Sequence, residues 1–162
     1  MKTLHLMRHG KSSWEIESVK DLDRPLLERG VRNSYMMAER FLKNNKCPDL
    51  IICSSANRAM HTAHIFARTV GYPVQNIRVA EEIYESDNAT IFEVIKNTAS
   101  SVSSLMLVGH NPNFTEIANW YLDHEIENLS TSGIVSIEFD CEYWNEIQRC
   151  EHKAKYDNPK ES

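Results

Sequence analysis

Leu4-His5-Leu6-Met7-Arg8-His9-Gly10 is a short apolar run that ends on an arginine, a histidine and a glycine. Its length and composition predict a strand over about residues 3–8, which delivers the two polar side chains to its carboxyl end. A guanidinium there offers a rigid fork of donors matched to phosphate oxygens. A neutral imidazole offers a nitrogen lone pair able to attack phosphorus. Glycine lets the backbone turn sharply and approach a bound group. The tripeptide alone recurs by chance in many proteins; its place at a strand end makes it informative.

Two other stretches repeat the arrangement. Leu50-Ile51-Ile52-Cys53 is a second apolar run, followed by Ser54-Ser55-Ala56-Asn57-Arg58-Ala59-Met60-His61-Thr62-Ala63, which places Arg58 in the first turn of a helix. A cation there opposes the helix dipole, a local conflict that a nearby anion resolves. Leu105-Met106-Leu107-Val108 is a third run, ending on Gly109-His110-Asn111-Pro112. Asn111 is expected to cap the next helix, with Pro112 at its first position. In open α/β sheets, ligands bind beyond the carboxyl ends of the strands, where helix N-termini add donors for anions. Arg8, His9, Arg58 and His110 are therefore expected to converge on one phosphoryl-sized group.

These motifs, in this order, resemble the histidine phosphatase superfamily, the phosphoglycerate-mutase-like proteins. Asp23-Arg24-Pro25-Leu26 and Glu28-Arg29-Gly30 resemble its short branch, the SixA-type phosphohistidine phosphatases, and the likeness runs from about residue 3 to residue 140. The resemblance implies that His9 accepts the phosphoryl group and that Arg8, Arg58 and His110 form the phosphate pocket. It also implies that Arg24 is a further phosphate or substrate contact. Larger members place a glutamate after the third strand as general acid. The nearest match is Glu85 in Ile83-Tyr84-Glu85, with Glu82 as the alternative, although some short members lack a usable acid.

The chain has 162 residues, 41% hydrophobic and 25% charged, which fits one soluble globular domain. Its net charge of −5 suggests neither a nucleic-acid partner nor a membrane surface, so any basic site must be local. Cys47, Cys53, Cys141 and Cys150 show no zinc or redox spacing, and Cys53 reads as a core thiol. Free thiols and a strand starting near Thr3 lead us to expect a cytoplasmic protein without a targeting segment.

The alternation of strand and helix signals predicts a three-layer α/β/α sandwich with a mostly parallel sheet and antiparallel edge strands. A loop over 11–24 carries Trp14, Ile16, Val19 and Leu22. A helix over about 26–43 has Leu27, Val31, Tyr35, Ala38 and Leu42 as its expected buried stripe. Met60, Ala63, Ala67 and Val70 form the apolar face of the Arg58 helix, which Gly71 ends. A short strand near 77–80 and a helix over about 90–98 follow. After Pro112 a helix buries Phe114, Ile117, Ala118 and Tyr121. Residues 134–139 and about 144–150 read as antiparallel edge strands. One domain is expected over 1–152, with a polar, frayed tail over 153–162.

Other residues carry blander readings. Trp14 reads as a loop anchor against the core rather than a substrate stacker. Thr131-Ser132-Gly133 reads as a turn that some relatives use to bring a hydroxyl near phosphate. His61 and His64 share a helix face, but no carboxylate motif completes a metal site. The expected protein is thus a phosphatase working through a covalent phosphohistidine on His9, with no cofactor or metal, acting on a phosphorylated substrate that includes protein phosphohistidine. The alternatives are a small-metabolite phosphatase or mutase of the same superfamily, and a phosphate-binding module without turnover. Little more than a strand, a helix and a strand separates Arg58 from His110. That leaves few residues for the lid a mutase needs.

Overall fold

The computed structural model describes residues 1–15 and 18–160; Ile16 and the last two residues of the expected tail lie outside this range. The elements in chain order are β1 (Lys2–Arg8), α1 (Glu28–Asn44), β2 (Leu50–Cys53), α2 (Asn57–Val70), β3 (Arg78–Val79), α3 (Asn88–Lys96), β4 (Ser104–Gly109), α4 (Asn113–Asn119), β5 (Ile134–Phe139) and β6 (His152–Asp157). One six-stranded sheet runs in the order β3-β2-β4-β1-β5-β6. β1 to β4 are mutually parallel, whereas β5 runs antiparallel to both β1 and β6. The strand ends align: Arg8 pairs with Gly109, and Cys53 with Val108.

Side chains alternate across the sheet and divide the core in two. Leu4, Leu6, Leu105 and Leu107 face Ile91 and Ile95 of α3 and Phe114 and Ile117 of α4. Met7, Ile51, Met106 and Val108 face Met37 and Phe41 of α1 and Ala63 and Phe66 of α2. This is the expected three-layer sandwich. Gly71 ends α2 in the left-handed region at φ 83°, which a residue without Cβ adopts freely.

The expected stripe of α1 is out of phase by about one residue. The buried positions are Gly30, Ser34, Met37, Ala38 and Phe41, whereas Tyr35 and Leu42 are 39% and 42% exposed. The inward face begins with small residues because α1 approaches the loop after β1 closely. A Cβ on Gly30 would stand 2.3 Å from the Lys11 carbonyl oxygen, and Ser34 Oγ lies 3.2 Å from Ser132 Oγ. Hydrophobicity does not mark such positions.

Two further expectations fail at the C-terminal end. Residues 144–150 form no strand: Trp144–Glu146 is a turn of 3-10 helix whose buried indole donates to the Val102 carbonyl at 2.8 Å. The edge strand is β6, inside the segment expected to fray, so a boundary after residue 152 cuts a strand. An edge strand has to bury only one face; Ala154 and Tyr156 turn inward while Lys153 and Lys155 remain exposed. Asn111 also lies one residue before the cap of α4. Its Oδ1 still accepts the Thr115 N–H at 3.2 Å and the Thr115 hydroxyl at 2.8 Å.

Candidate active site

The carboxyl ends of β1, β2 and β4 open into a cleft of about 650 Å³ lined by Arg8, His9, Arg24, Arg58, His110 and Glu85, among others. The structure thus brings together every site residue expected from the sequence. Glu82 is exposed and does not line the cleft. His61 and His64 also lie outside it, on the exposed side of α2.

His9 is buried just past β1. Its Nδ1 lies 2.7 Å from the Gly10 carbonyl oxygen, which only accepts, so Nδ1 carries the proton and Nε2 keeps its lone pair. Burial is the main cause that pushes this imidazole down to about 3; the bond to Gly10 opposes it, and His110, Arg58 and Arg8 add to it. His9 is therefore neutral at physiological pH. The His110 ring stands 5.2 Å from it, centroid to centroid. Burial, followed by the charge of Arg58, holds His110 at about 4.

The guanidinium groups are held from behind. Arg8 Nη1 donates to the Leu129 carbonyl at 3.0 Å. Arg58 Nη1 donates to the Asp21 carbonyl at 2.7 Å, and its Nη2 to Asp21 Oδ2 at 3.2 Å. Arg24 Nε donates to Asp21 Oδ1 at 3.0 Å, and its guanidinium lies 3.4 Å from the centre of the Trp14 ring. Trp14 is thus not a core anchor: at 73% exposure it stands on the cleft rim and supports Arg24. Such stacking orients a guanidinium without consuming its donors. The Nε atoms of Arg8 and Arg58 are buried and, among the described residues, have no hydrogen-bond partner.

Four residues with structural roles here carried no distinct sequence signal of their own. Asp21 receives hydrogen bonds from Arg24, Arg58 and, at 2.7 Å, the Tyr84 hydroxyl. Burial works against its charge, but Tyr84, Arg58 and Arg24 outweigh it and hold the carboxyl below its usual range. The bond to Asp21, first, and burial push the Tyr84 phenol up to about 12. Ser54 Oγ shares a 2.7 Å hydrogen bond with His110 Nε2 and accepts the Ala56 N–H at 3.2 Å. Thr62 Oγ1 accepts the Gly10 N–H at 2.9 Å and donates to the Arg58 carbonyl at 2.8 Å, tying the His9 loop to α2. Ser54 and Thr62 lie inside the Ser-Ser-x-x-Arg-Ala-x-x-Thr-Ala motif, where a second role for its hydroxyls was legible in principle. Asp21 lies outside the quoted motifs, and Tyr84 lies in the Ile83-Tyr84-Glu85 match, where only the glutamate was singled out.

Thr131 lines the cleft, whereas Ser132 is buried behind it with φ at 63°. Ser132 N–H donates to the carbonyls of Arg8 at 3.0 Å and His9 at 3.2 Å. Glu85 is exposed at the rim, also in the left-handed region at φ 50°. A non-glycine residue there stores backbone strain. As a whole, the donor set is cationic and imidazole-rich and suits a tetrahedral anion.

Residues 4–104 match the model of the histidine phosphatase superfamily (branch 1). The chain belongs to that superfamily. An uncharacterised protein of Mycobacterium tuberculosis is 34% identical to this histidine phosphatase over 113 residues, 69% of this chain and 67% of the relative. A structure of the SixA protein from Agrobacterium tumefaciens superposes with a TM-score of 0.82 at 26% identity, covering 98% of both chains. A second SixA structure, from Nakamurella, gives a TM-score of 0.84 at 20% identity over 99% of this chain and 97% of that one, a likeness of fold. The histidine phosphatase described here therefore has the SixA-type, phosphoglycerate-mutase-like fold, and it is a phosphatase. Among the described residues, no helix is long and apolar enough to cross a membrane.

Proposed function

We propose that this histidine phosphatase hydrolyses protein phosphohistidine through a covalent intermediate on His9. The observation that carries the reading is the His9 ring itself: Nδ1 is tied to the Gly10 carbonyl, and burial keeps the imidazole neutral among cationic groups. Nε2 attacks phosphorus, the substrate's P–N bond breaks, and the leaving imidazole takes the electron pair. Arg8, Arg58 and His110 take the equatorial oxygens as charge spreads over them. The buried Nε atoms of the two arginines then gain acceptors. Water next attacks the phosphoenzyme, returning the electron pair to Nε2 and releasing inorganic phosphate. Arg24, supported by Trp14 and Asp21, provides a further cation at the substrate side.

The preference for phosphohistidine follows from the leaving group. A phosphohistidine whose other ring nitrogen carries a proton expels neutral imidazole, whose conjugate acid has a pKa of ~6.5, with little help, whereas an alkoxide needs a proton from the enzyme. Glu85 is the only sequence-expected acid on the cleft wall, and it stands at the exposed rim. The 26% identity to the Agrobacterium SixA over nearly the full length supports the same substrate class. Free cysteines suit a reducing compartment and support a cytoplasmic location.

The decisive experiment is labelling with a radiolabelled phosphohistidine protein, quenched in alkaline detergent, run beside a panel of phosphoserine peptide and sugar phosphates. The expected result is acid-labile, base-stable label on His9, none in His9→Ala, and highest kcat/KM on phosphohistidine. Label on serine overturns the mechanism. A strong preference for a sugar phosphate makes the protein a small-metabolite phosphatase instead.

A further inference from the structure

A second recess, of about 540 Å³, adjoins the cleft and shares Arg8, Lys11 and Thr131 with it. Lys11, Arg29 and Lys160 lie along it, together with the amides of Asn33, Asn128 and Asn158; among the described residues, no carboxylate lines it. Three chain segments far apart in sequence supply these cations: the loop after β1, the first turn of α1 and the segment after β6. Arg29 occupies a helix N-terminal turn, where a cation opposes the dipole. Among the described residues, the side chains of Lys11, Arg29 and Lys160 form neither an ion pair nor a hydrogen bond. The paired arginines are Arg24, Arg32, Arg40 and Arg58.

The cleft is also polarised. Asp21, Glu85, Asp87 and Glu116 line it elsewhere, whereas the recess is cationic in a chain of net charge −5. Like charges drawn together without partners destabilise the fold unless they meet an anion, and a concave surface focuses their field.

We propose that this recess is a second anion subsite, which takes a carboxylate or phosphoryl group of the same substrate whose reacting phosphoryl lies at His9. The inference rests on reading the cleft as the phosphoryl site, and it adds a specificity determinant that a monophosphate does not engage. Acidic side chains flanking a phosphohistidine fit it, as does the second phosphoryl of a bisphosphate. Three exposed cations acting on one anion amount to about a tenfold gain in affinity, which fades as salt rises.

The test uses alkane-α,ω-diphosphonates of two to six carbons, the matching phosphonocarboxylates, and a monophosphonate. Their binding to wild type and to Arg29→Gln/Lys160→Gln is measured by calorimetry and, in parallel, as inhibition of phenyl phosphate hydrolysis. Neither substituted residue lines the cleft. At the fitting length a diphosphonate binds wild type about tenfold more tightly than the monophosphonate. The double substitution removes that gain while leaving phosphate affinity and kcat on phenyl phosphate unchanged. Equal gain with the phosphonocarboxylate shows a general anion subsite; gain with the diphosphonate alone shows one for phosphoryl groups. A dianion that binds no better at any length, or a gain that survives the substitution, overturns the proposal. Failure to turn over phenyl phosphate and phosphohistidine counts against the catalytic reading, whereas calorimetry still decides the recess.

Discussion

Arg58 holds its position in the cleft through one residue, Asp21: its Nη1 reaches the Asp21 carbonyl at 2.7 Å and its Nη2 the Asp21 carboxylate at 3.2 Å. The mismatch between a first-turn arginine and the helix dipole is thus met by an anion from the chain itself. The backbone contact positions the guanidinium, while the carboxylate competes with phosphate for it. Asp21→Asn keeps the first and removes the charge of the second. It is expected to tighten phosphate inhibition and lower KM by about three- to tenfold at low salt, an advantage that shrinks as ionic strength rises. Phosphate inhibition constants at two salt concentrations check this; weaker phosphate binding in Asp21→Asn refutes the competition.

Arg8→Ala, Arg58→Ala and His110→Ala are each expected to lower kcat on the order of 10²–10³-fold, the cost of losing one donor to the transition state. Ser54→Ala leaves the His110 ring in place but removes its 2.7 Å partner, and is expected to cost about tenfold in kcat with little change in KM. Steady-state kinetics on one substrate separate these effects. If Arg8→Ala, Arg58→Ala or His110→Ala keeps the wild-type rate, that residue lies outside the phosphate pocket.

Glu85→Gln is expected to leave phosphohistidine hydrolysis nearly unchanged and to slow alkyl phosphate hydrolysis, because only the alkyl leaving group needs a proton. The ratio of kcat/KM for wild type and variant on the two substrates measures it. Equal losses on both make Glu85 a rim contact rather than an acid.

Acid sensitivity follows from three imidazoles. His5 and His110 are held at about 4 and His9 at about 3, burial being the largest cause in each. In the unfolded chain each titrates near ~6.5. Between those values the unfolded state binds protons that the fold does not, so stability is complete above about pH 6.5 and falls as pH drops toward 4. Thermal melts across this window are expected to show it, with a shallower slope in His5→Phe. Because burial holds His9 at about 3, an acid limb in kcat/KM near pH 6 belongs to the substrate's phosphoryl ionisation. That limb is expected to move when the substrate is changed.

Gly30→Ala puts a methyl group 2.3 Å from the Lys11 carbonyl oxygen, a backbone atom that cannot swing aside. The expected cost is about 1–3 kcal/mol in denaturant unfolding. Activity is expected to fall as well, since displacing Lys11 moves the loop that carries His9.

The motifs at residues 8–10, 54–63 and 109–112 are local: an apolar run of strand length, then the polar residues that its end presents, then a helix signal. Such information lies within ten residues of chain, and it was enough to name Arg8, His9, Arg58 and His110 and to predict the layered α/β fold. Asp21 sits in a polar loop just outside the motif that begins at Asp23, and Tyr84 sits among Glu81, Glu82 and Glu85, which drew the reading to a carboxylate. Their roles arise only when the loop after β1 crosses the mouth of the cleft and brings Asp21 within 2.7 Å of the Tyr84 hydroxyl, 63 positions away. The phase of α1 was likewise decided by close backbone approach at Gly30, which favours small residues over apolar ones. β6 formed from a polar segment because pairing with β5 satisfies its backbone and only one of its faces is packed. Strand ends and their chemistry are properties of short segments, whereas the contacts that orient and tune them are made between segments, and tertiary packing alone brings those together.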